Sequence, residues 1–232
     1  MPGVYAHYRF GRQVLSSFSR RQRQLIGRFR RLYDMGLYGA DIFSCPGPLT
    51  DPELEKLGAA YRARPTGEVL AQAKEIATTE GAMAYLYGLA AHRCLEDACA
   101  DFWDKSQAKA MPVPAMEGEF DRYLLELDGL PPTYDRSAHM KLTRGEGVTV
   151  SQFYAPATAG QVYGAIRRMT WLYRALTTPD KKPLPLISRA QWEQRLPAQE
   201  PTPEALRADS ALLVRYTRAV KDFPAFLEEA DL

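Results

Sequence analysis

The chain has 232 residues, 46% of them hydrophobic, with 30 basic and 28 acidic side chains for a net charge of +2. This length can bury one sizeable core, and no run approaches the roughly 20 apolar residues that a membrane-spanning helix needs. Cys45, Cys94 and Cys99 are odd in number and without disulfide spacing, and no apolar signal-peptide core follows the first charges, so a single cytoplasmic domain over 1–232 is the expectation.

The near-neutral total hides an asymmetry. From Met1 to Tyr33 there is no acidic residue, while Arg9, Arg12, Arg20, Arg21, Arg23, Arg28, Arg30 and Arg31 alternate with Val14, Leu15, Phe18, Leu25, Ile26 and Phe29. Such a basic amphipathic stretch can rest on an anionic membrane or on phosphates; it can equally be a solvated arginine face above a core-packing stripe. Leu32 to Pro48 then reads as turn-rich, with Gly36 and Gly39 breaking any helix. Asp41 sits within it between apolar neighbours, as a ligand, a general base or an Asx-turn cap. Asp51 precedes a helix with Pro52 at its first position, which Arg64-Pro65 interrupts, and a further helix is expected from Gly67 to Thr79.

The longest periodic segment is Gly81 to Lys105. Met83, Leu86, Tyr87, Ala90, Ala91, Cys94, Leu95, Ala98 and Phe102 recur at three- and four-residue steps, predicting a helix buried on more than one side. His92 and Glu96, four apart, project from one face and can hold an ion together or hydrogen-bond each other. Met111 to Pro114 is expected to be non-helical. A helix follows from Ala115, ends at Gly129, and carries Glu117 and Asp121 four apart, facing solvent or coordinating. Thr133 to Val150 reads as a loop with a short strand at Val148 to Phe153, Gly160 to Leu176 as an amphipathic helix, and Pro203 to Leu227 as one or two more. Trp192 is a candidate anchor for the proline-rich stretch between them.

Taken together, Ala6-His7-Tyr8-Arg9-Phe10-Gly11, Leu37-Tyr38-Gly39-Ala40-Asp41-Ile42-Phe43, Tyr85-Leu86-Tyr87-Gly88-Leu89-Ala90-Ala91-His92 with Glu96, and Glu117-Gly118-Glu119-Phe120-Asp121-Arg122-Tyr123-Leu124 resemble the bacterial zinc-dependent phospholipase C family in order and spacing. The resemblance implies an all-α, multi-helical fold of the phospholipase C and P1 nuclease type. It implies a zinc cluster ligated by His7, Asp41, His92, Glu96 and Glu117, with Asp41 also a candidate catalytic base. Glu96 stands where the family has an aspartate, and Tyr61, Ala100 and Val113 stand where it has histidines. With two histidines gone around Glu117, that metal position is expected to be lost. The remainder is expected to hold one or two ions at most, with zinc, manganese or iron equally suited, unless Asp97, Asp101 or His139 substitutes.

The implied function is phosphodiester hydrolysis of phospholipid at a membrane surface, with low or absent activity. The alternative is a non-catalytic relative that binds lipid head groups, phosphate or a protein partner. Nucleic acid is disfavoured, because the phenylalanines of the basic segment fall at core spacing rather than as exposed stacking platforms.

Overall fold

The computed structural model describes residues 3–44, 51–104, 112–131, 133–177 and 202–232, and among these it is all-helical with no strand. In chain order the α-helices are α1 (Val4–Gln13), α2 (Arg20–Arg28), α3 (Arg30–Gly36), α4 (Pro52–Arg62), α5 (Thr66–Ile76), α6 (Glu80–Asp104), α7 (Val113–Leu127), α8 (Arg144–Gln152), α9 (Ala159–Thr177) and α10 (Pro203–Glu229). Short 3-10 turns occupy Val14–Ser17 and Gly39–Phe43.

The long helix α6 is the hub: α1, α2, α3, α5, α8, α10 and the Gly39–Phe43 turn all pack on it. Ala84, Tyr85, Leu86, Ala90, Ala91, Leu95 and Cys99 on α6 are fully buried, and each buried leucine contributes about 2 kcal/mol by removal of apolar surface from water. Helix α3 approaches α6 closely because both contribute glycine at the crossing. A Cβ on Gly88 would lie 2.1 Å from the Tyr33 carbonyl oxygen, and one on Gly36 would lie 2.2 Å from that of Tyr85. Gly36 therefore ends α3 as a packing residue, where the sequence pattern suggested that it breaks any helix.

Other expectations change in the same way. The stretch read as a loop and short strand contains α8, begun by a reciprocal cap between Thr143 and Glu146 that outweighs the low helix propensity of Gly145 and Gly147. Helix α7 starts at Val113 rather than Ala115, since Pro114 in a first turn costs no hydrogen bond. The C-terminal segment is one helix that continues through Pro224. Asp51 caps α4 through the amides of Glu53 and Leu54, as its position before Pro52 predicts. Trp192 and Cys45 lie outside the described residues.

The arginine-rich segment divides into α1, α2 and α3, with Val14, Phe18 and Ile26 buried beneath it. Four of its eight arginines pair with acids: Arg9 with Asp128, Arg28 with Glu80 and Arg31 with Glu146 from elsewhere in the chain, and Arg30 with Asp34 on the same helix. Arg20 and Arg21 remain on the exposed side of α2. Among the described residues no helix is long and apolar enough to cross a membrane.

Candidate metal centre

Three elements bring four donors together. Helix α1 supplies His7, the Gly39–Phe43 turn supplies Asp41, and α6 supplies His92 and Glu96, with one ligand atom from each lying within 4.8 Å of all the others. His7 and His92 are each 2% exposed, and their ring centroids are 4.6 Å apart.

Local structure aims each side chain. The first turn of α1 is held by Asp121 of α7, whose two carboxylate oxygens accept from the amides of Ala6 at 2.9 Å and Tyr5 at 3.0 Å. This satisfies two of the donors a helix start leaves open. Gly3 permits that approach, because a Cβ there would meet the Asp121 carboxylate at 2.5 Å. His92 Nδ1 lies 3.1 Å from the Leu37 carbonyl oxygen. A carbonyl can only accept, so Nδ1 carries the proton and Nε2 keeps its lone pair. Gly39 makes room for the ring with a left-handed φ of +48°, and a Cβ there would fall 2.6 Å from His92 Cδ2 and 2.8 Å from Nε2.

The electrostatics fit a cation. Burial pushes His7 and His92 down to about 4, so both imidazoles are neutral. Burial also raises the carboxyls of Asp41 and Glu96, Asp41 being further raised by Glu96. His7 Nε2 and Glu96 Oε1 lie 3.0 Å apart with a proton between them, which a metal ion binding to both would release. Asp41 Oδ1 is buried with no hydrogen-bond partner; the Arg62 guanidinium stops 3.6 Å away and instead donates to Ser44 Oγ at 2.6 Å. Two neutral imidazoles and two carboxylates with one orphaned oxygen form a nitrogen and oxygen set that balances a divalent ion and does not distinguish zinc from manganese or iron.

Glu117 is outside this group. It borders the same cleft as His7 and Asp41, and burial pushes its carboxyl up to about 8. Asp121, read from spacing as solvent-facing or coordinating together with Glu117, is the cap of α1. Of the positions without histidine, Tyr61 packs edge-on against Tyr154 behind His92, while Ala100 and Val113 are exposed. Among the described residues no substitute ligand enters the group: Asp97 is exposed, Asp101 pairs with Arg215 at 2.8 Å, and His139 stacks on Tyr8 and hydrogen-bonds to Tyr38. Cys94 and Cys99 are buried free thiols that burial pushes up to about 12, which leaves them unreactive.

Two residues that shape the site escaped the sequence pattern. Gly39 carried a turn signal with no sign of its role beside His92. Arg136, a buried arginine on the cleft, stands in a polar stretch without periodicity. No protein-family model, curated protein or solved structure matches the chain.

Proposed function

We propose that the protein is a degenerate relative of the zinc-dependent phospholipases C, with the helical fold of the phospholipase C and P1 nuclease type. It takes one divalent ion on His7, Asp41, His92 and Glu96 and admits a phosphodiester head group to the adjoining cleft. The observation that carries this reading is the meeting of four donors from three elements far apart in sequence, which are four of the five ligand positions implied by the resemblance. When bound, such an ion polarises a phosphoryl oxygen and acidifies water toward neutrality. The chain's own residues do the rest: Leu37 fixes the His92 tautomer, Asp41 serves as ligand and candidate base, and the buried imidazoles keep bulk water out. With no donor at Ala100 or Val113, a second ion at Glu117 lacks its histidines, so phosphodiesterase activity is low or absent. A binding role toward lipid head groups, phosphate or a protein partner is the second reading, favoured by Tyr61, Ala100 and Val113 in place of histidines.

Exposed Arg20 and Arg21 suit contact with an anionic membrane. The burial of Phe10 and Phe18 removes them as stacking platforms for nucleic acid. The test is metal analysis of protein purified without chelators, alongside His92→Ala and Glu117→Ala. One ion per chain, lost in His92→Ala and kept in Glu117→Ala, is the expected result. A preparation with no affinity for zinc, manganese or iron overturns the metal reading. One that carries three zinc ions and cleaves phosphatidylcholine briskly overturns the degeneracy.

A further inference from the structure

Beside the four donors lies a cleft of about 200 Å³. Among the described residues that line it, Arg136 is the one side chain with a permanent positive charge. Its side chain is 6% exposed, and its Nε has no hydrogen-bond partner. A guanidinium stays protonated throughout the pH range of proteins, so its burial calls for a counter-charge and for acceptors. Asp121 Oδ2 supplies charge at 3.6 Å from Nη1, beyond hydrogen-bond reach, and that carboxylate already accepts two backbone amides. The fork is therefore held in place by Asp121 without being used up by it.

We infer that Arg136 anchors an oxyanion subsite in this cleft, one that takes the phosphoryl group of a phosphate ester or of free phosphate. A planar fork with spare donors matches two phosphoryl oxygens. Val4, Pro114, Met169 and Leu172 give the same cleft apolar walls, which exclude water and strengthen the contact. His7 and Asp41 line it as well, so an anion held by Arg136 has the metal donors as neighbours. The acids around the cleft oppose an anion until a cation offsets them, and phosphate affinity consequently rises when zinc is bound, with reciprocal tightening of zinc by phosphate. The inference deepens the phosphodiester reading and rests on it only for the contribution of the ion.

The experiment is calorimetric titration of the full chain with inorganic phosphate and with glycerophosphocholine, in zinc and in chelator, for wild type, Arg136→Met and Arg136→Lys. Melting curves identify the folded variants. Saturable binding is expected in wild type, tighter in zinc. Affinity falls about tenfold or more in Arg136→Met, as for loss of a charge-assisted pair, and by a smaller factor in Arg136→Lys, which keeps the charge beside Asp121 but not the fork. Should Arg136→Met not fold, the lysine variant decides alone. Preference for glycerophosphocholine identifies a head-group site, and preference for inorganic phosphate identifies a free-phosphate site. Equal affinity in wild type and the folded variants overturns the subsite and leaves the metal reading standing. Absence of saturable binding in wild type, with and without zinc, also overturns it. Failure to bind zinc alongside Arg136-dependent phosphate binding removes the metal reading and keeps the subsite.

Discussion

Gly39→Ala tests whether the backbone of the Gly39–Phe43 turn is what seats His92. The φ of +48° at this position is left-handed, and the added Cβ would lie 2.6 Å from His92 Cδ2 and 2.8 Å from Nε2. Placing alanine in that conformation costs about 1–2 kcal/mol. Relief of the clash requires the imidazole to move against a core in which it is 2% exposed and bonded to Leu37, adding ~1 kcal/mol or more for the bond alone. The expected loss is therefore about 2–4 kcal/mol, large against the 5–15 kcal/mol of a typical domain yet compatible with folding. Urea denaturation measures it. A zinc titration against a competing chelator should show at least a tenfold loss of affinity, because Nε2 no longer points at the other donors. Gly27→Ala is the control: Gly27 lies within α2 with nothing within 4 Å of its added Cβ, so alanine there should stabilise by about 0.5–1 kcal/mol. Wild-type stability and metal affinity in Gly39→Ala would refute the reasoning.

Gly88→Ala should be more severe than Gly39→Ala, since its Cβ meets the Tyr33 carbonyl oxygen at 2.1 Å and neither helix backbone can yield; a loss above about 3 kcal/mol is expected in circular dichroism melts, and a wild-type melt would remove the close helix crossing from the explanation of the fold. Asp209→Asn should flatten the pH dependence of stability. Asp209 is 1% exposed, both its oxygens lack hydrogen-bond partners, and burial pushes it up from 3.8 to about 6 against the pull of Arg122. A carboxyl raised in the folded state contributes stability that is complete below pH 4 and lost as pH rises through 6, so the ionised form weakens the fold by about 3 kcal/mol at neutral pH. The asparagine variant should accordingly exceed wild type in urea midpoint at pH 7.5 and match it near pH 4; parallel profiles would exclude Asp209 as the source.

The sequence makes α6 legible because burial on several sides leaves apolar residues at every helical step, and it makes the His92 and Glu96 pair legible because four residues are one helical turn. Asp51-Pro52 marked α4 for an equally local reason. Helix α8 was missed where two local signals conflict: Gly145 and Gly147 suggest a loop, while Thr143 and Glu146 form a capping box that was the better guide. The basic N-terminal segment misleads in another way. Its lack of acids is real, but the compensating carboxylates of Glu80, Asp128 and Glu146 arrive from later in the chain, which no reading confined to residues 1–33 can reveal. Arg136 gave no signal at all, because its meaning comes from a cleft assembled by α1, α7, α9 and the Asp41 turn.

The carboxylates around that cleft separate by how their charge is met rather than by spacing. Asp121 and Asp41 are both largely buried, and each has an arginine nitrogen 3.6 Å away. Asp121 accepts two backbone amides and so fixes the start of α1. Asp41 leaves Oδ1 without a donor, beside two imidazoles whose burial keeps them neutral and a second raised carboxyl, Glu96. Burying an acceptor without a donor costs about 1–3 kcal/mol, which the Arg62 guanidinium at 3.6 Å offsets by charge without supplying a hydrogen bond. A cation shared with His7, His92 and Glu96 would supply the missing partner directly. Asp121 is thus an acid that the fold uses for itself, whereas Asp41 keeps a buried oxygen open within a group of donors that could hold a cation.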